Sequence, residues 1–206
     1  MRRIWIAVIA AGAFAGSSVT ASAQSRQPMW QGLYAGVNAG ALLGSIKVSD
    51  PLSTFRWDHD GMAIGSHLGY NMLFGNLLAG VEGDLSWTNA KGDITIAPGF
   101  GVKTESSYMG SIRARLGISH ANLLWYGTVG YGMANMKATM PGSSDSDRFN
   151  GLVYGLGMEV PLFNKMSWRV EALHYALRKS ENDGGVAVKT EVPQTVIRAG
   201  LSFHLN

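Results

Sequence analysis

Residues 77 to 87 read LLAGVEGDLSW and residues 108 to 118 read YMGSIRARLGI, and both alternate with a period of two. In the first, Leu77, Ala79, Val81, Gly83, Leu85 and Trp87 share one face, and both charges, Glu82 and Asp84, fall on the other. In the second, Tyr108, Gly110, Ile112, Ala114, Leu116 and Ile118 oppose Met109, Ser111, Arg113, Arg115 and Gly117. Successive side chains on a strand point to opposite faces, so these are strands with two chemically distinct sides. No stretch sustains a helical 3.6-residue period, and beyond the first two dozen residues no apolar run is long enough for a membrane-spanning helix.

Segments of this kind recur near 32–46, 61–72, 77–87, 105–118, 123–134, 150–160, 166–177 and 190–205. Their connections alternate in length. LFGN (73–76), SHAN (119–122) and LFNK (162–165) are short, whereas 47–60, 88–104, 135–149 and 178–189 are long and rich in Gly, Pro, Ser, Asp and Asn. Short turns on one side and long loops on the other are the signature of an antiparallel barrel in an outer membrane. The predicted fold is all-β: an eight-stranded antiparallel up-and-down transmembrane β-barrel.

A soluble eight-stranded barrel would also alternate, so the character of the polar face decides. That face carries Glu82, Asp84, Arg113, Arg115, Glu159, Arg169, Glu171 and Arg198, interleaved with Gly36, Gly40, Gly65, Gly69, Gly80, Gly155, Gly157 and Gly200. A water-facing wall favours long Lys and Glu and has no need of glycine. A narrow lumen needs small residues, because eight strands enclose only enough room for side chains. The four acids and four arginines balance, and inside a lumen each offsets the other's desolvation. Arginine's planar fork suits carboxylate there better than lysine does. On the apolar face, Tyr70, Trp125, Trp168 and Phe203 are placed toward the periplasmic rim and Trp87, Tyr108 and Tyr131 toward the outer rim, as interfacial girdles. His174 also points outward in this register, which fits only near the headgroups.

The N-terminus, MRRIWIAVIAAGAFAGSSVTASAQ, has Arg2 and Arg3 before an apolar run and then Ala21-Ser22-Ala23, the small-x-small pattern of a signal peptide. Cleavage is expected after Ala23, leaving residues 24–206 as the barrel domain. Without Arg2 and Arg3 the 17 Lys and Arg fall to 15 against 14 Asp and Glu, so the basic balance gives no reason to expect nucleic acid. An export signal without a single cysteine fits a bacterial envelope protein held by burial and hydrogen bonding.

The chain also resembles a known family, the small outer-membrane β-barrel proteins of the opacity-like, alphaproteobacterial surface-porin group, related in architecture to the OmpA-type domain. The resemblance rests on WQGLYAGVNAG (30–40), VEGDLSW (81–87), SIRARLGIS with LLWYGTVGYGMA (111–134), YGLGMEV (154–160), WRVEALHY (168–175) and VIRAGLSFHLN (196–206). It implies a cell outer membrane location, contact with outer-membrane lipid, and passage through the barrel-assembly machinery during insertion. The family usually closes on an outward C-terminal aromatic. Here Phe203 and Leu205 take the outward positions and Asn206 follows.

Catalytic readings are weaker. No G-x-S-x-G, H-E-x-x-H, Walker or G-x-G-x-x-G motif occurs, and His59, His67, His120, His174 and His204 show no metal-ligand spacing. Glu82 and Asp84 have no adjacent nucleophile, and Ser66 and His67 point to opposite faces of one strand. We therefore expect no enzyme and no cofactor. The expected role is structural: a barrel plugged by its salt bridges that supports envelope integrity and presents surface loops. The alternative is a narrow porin for small solutes. A lipid-modifying enzyme stands lower, as does a barrel that binds haem or host or environmental surface ligands through loops. For the last, Phe55, Trp57 and His59 in the 47–60 loop are the cluster to watch.

Overall fold

The computed structural model describes residues 29–49, 54–97, 100–140, 143–183 and 186–205. Ten strands follow one another: β1 (Gly32–Ser49), β2 (Thr54–Asp58), β3 (Gly61–Phe74), β4 (Leu77–Thr88), β5 (Lys91–Ala97), β6 (Phe100–His120), β7 (Leu123–Met140), β8 (Ser143–Phe163), β9 (Met166–Asp183) and β10 (Val186–His204). All pairings are antiparallel, and β10 returns to β1 over Tyr34↔His204 to Ser49↔Lys189, which closes the cylinder. β2 and β3 form one stave interrupted at His59–Asp60, and β4 and β5 form another interrupted at Asn89–Ala90. The barrel therefore has eight staves built from ten strands. The expected signal peptide and its expected cleavage point at Ala23, like Asn206, lie outside the described residues.

The three short connections are tight turns in which backbone handedness is set by a few residues. Ala121 and Asn122 both have positive φ (49° and 65°), as the primed two-residue hairpin turns require. Gly75 (φ 63°) and Lys165 (φ 62°) serve the other two.

The long connections differ from the expectation of irregular loops. β6 to β10 run on well past the apolar band, so most of 135–149 and 178–189 is paired strand, as is much of 47–60 and 88–104. Their polar, Gly- and Pro-containing composition made these segments look like loops. Backbone pairing needs no apolar outward face once the strand stands in water.

Parity is kept along the wall. On β3 the accessibility alternates from Met62 through Met72, with Ala63, Gly65, His67, Gly69 and Asn71 turned inward. Large apolar side chains cover the outside: Ile112 is 74% exposed, Leu156 72% and Val81 58%, whereas the largest fully buried side chains are headed by Arg113, Arg115 and Arg169. A soluble barrel reverses that order. This one suits a solvent of hydrocarbon outside and a packed polar lumen within.

Candidate functional site

The lumen is filled in three layers. At the periplasmic mouth, Trp30, in the turn before β1, packs with Leu78, Leu124 and Tyr126, with Leu73 against them. Trp30 also meets the His204 ring edge-on at 5.7 Å. Above this apolar seal lies the ionic layer. Above that, inside the extracellular half, comes a second apolar body that includes Leu42, Met109, Met136, Phe149, Tyr175 and Val192.

The ionic layer contains all eight charges read from the sequence, each buried. Glu82 is its hub. It stands directly across from Arg113 in the β4–β6 register and is ion-paired with it. Both Nη atoms of Arg169 reach it from β9, at 2.7 and 2.9 Å, in a bidentate grip. Tyr34 Oη donates to the same carboxylate at 2.8 Å while accepting from Arg115 Nη1 at 2.7 Å.

Asp84 accepts from Arg198 Nη1 at 2.9 Å, lies 3.3 Å from Arg113 Nη1, and receives the Ser111 hydroxyl. Glu171 takes Arg169 Nη2 at 2.5 Å and Arg198 Nε at 2.8 Å. Glu159 takes Arg115 Nη2 at 2.8 Å and the Ser167 hydroxyl at 2.5 Å. Every carboxylate thus meets at least one guanidinium at contact distance. Charges removed from water in this way hold only because the pairing is complete.

One detail differs from a simple pairing of Glu82 and Asp84 with Arg113 and Arg115. Arg115 stands across from Gly80, and its closest carboxylate is Glu159, from β8 on another part of the wall. Lumen partners are chosen across the cylinder as well as along the ladder.

Neutral inward residues line and border the layer. Tyr34, Tyr126 and Tyr175 are buried inward aromatics. Arg115 lies over the Tyr126 ring, 3.7 Å from its centroid, a cation–π contact. Asn38 Nδ2 donates to His67 Nδ1 (3.3 Å), which leaves His67 Nε2–H to donate to Ser202 Oγ (3.0 Å). The signal for these residues was present as parity, since Tyr34 shares its face with Asn38. It was also present as complementarity: a Cβ at Gly69 would stand 2.3 Å from Tyr34 Oη, and one at Gly157 would stand 2.3 Å from Tyr126 Cζ. These two glycines are pits for rings.

On the outer wall, Tyr70, Trp87, Trp125, Tyr131, Trp168 and Phe203 all project outward, between 37% and 58% exposed. Tyr108, half-buried, stands across from Trp87. Trp125 and Trp168 lie beside the tight turns and Phe203 near the end of β10, while Trp87, Tyr108 and Tyr131 lie toward the long-hairpin side. His174 is on this wall too. Its Nδ1 is 3.0 Å from Thr195 Oγ1, and its ring is 5.2 Å from that of Tyr154. A polar row of this kind suits the headgroup level rather than the hydrocarbon centre.

Ser66 faces out and His67 faces in, so they form no catalytic pair. Among the described residues no group of three or more His, Cys, Asp or Glu is arranged to hold a metal ion. His59 is buried between β2 and β3 rather than displayed on a loop; the Phe55 and Trp57 side chains lie outside the described residues.

Comparison with known proteins gives a consistent result. The family model for the outer membrane protein beta-barrel domain matches residues 8–204. A 22 kDa outer membrane protein of Rhizobium leguminosarum bv. viciae is 31% identical over 69% of this chain, and the match spans 62% of that protein, less than two thirds of its length. A 25 kDa outer-membrane immunogenic protein of Brucella abortus is 27% identical over 86% of this chain and 80% of that one. Among solved structures, Neisserial surface protein A aligns with a TM-score of 0.52 at 15% identity, covering 85% of this chain and 98% of that one. The outer membrane protein OprG from Pseudomonas aeruginosa aligns at 0.53 and 13% identity, covering 84% and 97%. At such identities the two structures speak for the fold alone.

Proposed function

This chain belongs to the outer membrane protein beta-barrel domain family and resides in the outer membrane, and from that premise we propose that it is a plugged structural barrel, not a channel and not an enzyme. It supports the envelope mechanically and presents its long hairpins outside the cell. One observation carries this reading: the charged layer is closed on both sides by apolar packing, Trp30 with Leu78, Leu124 and Tyr126 below and the Leu42–Met109–Phe149 body above.

A solute crossing the lumen would have to displace two apolar seals and break a charge-balanced set of pairs between them. Eight strands leave no spare bore for it. The name of the Brucella relative, an outer-membrane immunogenic protein, supports surface presentation of the hairpins. For the absence of enzymatic activity, support comes from the charges themselves: every lumen carboxylate is committed to an arginine, and none is free to act as a base.

The test is planar-bilayer recording of the purified, refolded full chain. The expected result is a silent barrel, or brief sub-solute flickers. Stable openings that pass a sugar-sized or amino-acid-sized solute would replace this reading with that of a narrow porin.

A further inference from the structure

Several glycines of the wall leave no room for a side chain. A Cβ at Gly36, Gly40, Gly130, Gly151 or Gly155 would stand 2.0 to 2.2 Å from a carbonyl oxygen of the neighbouring strand. Two outward glycines are different. At Gly127 the atoms nearest an added Cβ are Leu156 Cδ2 at 3.7 Å and the Gly155 carbonyl oxygen at 3.9 Å, and at Gly83 the nearest is the Ser111 carbonyl oxygen at 3.8 Å. These are ordinary contact distances, so the wall could carry a side chain at both places and carries none. Each leaves a groove on the lipid side, of about 680 Å³ over Gly127 and about 630 Å³ over Gly83. Both volumes are those of ligand sites.

The Gly127 groove is flanked by Leu116 and Leu156, which stand across from Gly127 on β6 and β8, and it runs on over Ala172 beside Leu156. Toward the tight turns it is bounded by the pair Trp125 and Met158. Gly127 and Asn122, at the foot of β7, differ in depth by roughly 13 Å, at ~3.3 Å per residue along a strand tilted about 40°. Half of the hydrocarbon layer is about 15 Å, so the floor of the groove lies in the periplasmic leaflet. Beneath it are the turns of the two hairpins that form it, SHAN (119–122) and LFNK (162–165). They carry His120, Asn122 and Lys165, all exposed, and no acid. Trp125 and Trp168 project outward from the same hairpins. The Gly83 groove instead stands above LFGN (73–76), which has no charge.

We infer that the Gly127 groove binds one acyl chain of an anionic phospholipid of the periplasmic leaflet, whose phosphate is held at the rim by Lys165. An apolar slot that ends above an ammonium and two neutral donors matches the two halves of such a molecule. A lysine at the interface attracts anionic headgroups, and tryptophans beside it sit at headgroup level. The competing occupant is a second barrel packed on the same face. A symmetric pair in a membrane is related by an axis along the bilayer normal, so it would bring a second Lys165 to the same rim, like charge to like. Charge therefore favours the lipid. The inference rests on the outer-membrane location and is independent of whether the lumen conducts.

The test is native mass spectrometry of the full chain released from nanodiscs of equimolar phosphatidylglycerol and phosphatidylethanolamine with matched acyl chains. One lipid should be retained per barrel, with phosphatidylglycerol favoured about fivefold, the ratio that one interfacial lysine supplies. Lys165→Asn removes the charge and keeps a residue that tolerates the positive φ at this position; it should bring that ratio close to one. Gly127→Leu fills the groove and should lower retention of both lipids by about threefold or more, because the chain loses contact along one side of its length. Gly83→Leu should leave retention unchanged. Gly127→Val takes the place of the leucine variant if that one fails to insert, as judged by heat-modifiable migration. Equal retention of the two headgroups by the unaltered chain, equal loss from the Gly127 and Gly83 variants, or a lipid-free dimer would overturn the proposal.

Discussion

Replacing Glu82 by Gln keeps the side-chain volume and removes one of the four lumen acids. The structure defines what is lost. Glu82 is fully buried, ion-paired with Arg113, gripped by both Nη atoms of Arg169 at 2.7 and 2.9 Å, and lies 3.5 Å from Arg115 and 3.8 Å from Arg198. In Glu82→Gln three acids face four arginines, and an amide NH2 is directed at guanidinium donors. Removing one partner of a buried ion pair costs about 3–5 kcal/mol, roughly a 10²–10⁴-fold change in the folded-to-unfolded ratio. The assay is urea unfolding of the refolded barrel in detergent or vesicles, followed by tryptophan fluorescence and by heat-modifiable migration on gels. Glu82→Gln/Arg113→Gln restores charge balance and should be less destabilised than the sum of the singles by about 1–3 kcal/mol. Glu191→Gln, at an exposed pair 3.8 Å from Lys47, is the control and should change stability by no more than about 0.5 kcal/mol. A Glu82→Gln barrel as stable as that control, or a strictly additive double variant, would refute the view that the lumen is held by complete pairing.

Other perturbations probe the remaining layers. Gly69→Ala drives a methyl into the Tyr34 ring and displaces the hydroxyl that links Arg115 to Glu82; a loss of about 1–3 kcal/mol in the same unfolding assay is expected. Val81→Arg puts a charge on the lipid face near mid-wall and should cost about 2–4 kcal/mol in vesicles, with a smaller loss in detergent. At the extracellular end, burial holds the pKa of His59 below its ordinary value of 6.5. The opened state then binds more protons than the folded one, so the stabilisation from neutral His59 is present above pH 6.5 and lost as pH falls below it. Protection factors of the β2 amides should therefore drop between pH 7.5 and pH 5, and should stay level in His59→Gln.

How much of this was legible in the sequence depended on whether a feature is local. The parity of each strand, and so the identity of the eight lumen charges, followed from alternation alone. Partner choice did not. Pairing between neighbouring strands would match Arg115 with the β4 acids, and Glu82 does lie 3.5 Å away, but opposite Arg115 stands Gly80 and its closest carboxylate, Glu159, reaches it from β8. Such contacts depend on the curvature and stagger of the closed cylinder, which no single strand encodes. The inward tyrosines were missed because aromatics on a membrane barrel suggest the outer wall; Gly69 and Gly157, opposite the Tyr34 and Tyr126 rings, marked the space those two fill. The strand extensions were missed because their composition is that of loops.

That last error points to how the chain manages two solvents with one architecture. On β9 the inward positions run Arg169, Glu171, Leu173, Tyr175, Leu177, and the outward ones Trp168, Val170, Ala172, His174, Ala176, Arg178. Parity is kept from Trp168 to Arg178, but the chemistry exchanges faces near His174. Below it, charge is inside and apolar surface outside; above it, apolar surface is inside and charge outside. In hydrocarbon an apolar interior would leave both faces alike, and a one-residue slip in pairing would carry little penalty. The ionic layer removes that ambiguity. A slip of β9 would turn Arg169 and Glu171 into lipid, at about 2–4 kcal/mol for the arginine at mid-bilayer and less for the glutamate. Where the wall emerges into water, an apolar inner face specifies register as it does in any soluble sheet, and charges on that face would be a liability. The buried salt bridges thus lie in the stretch of wall where burial of apolar surface cannot tell inside from outside, which is why they read as architecture and not as a reaction centre.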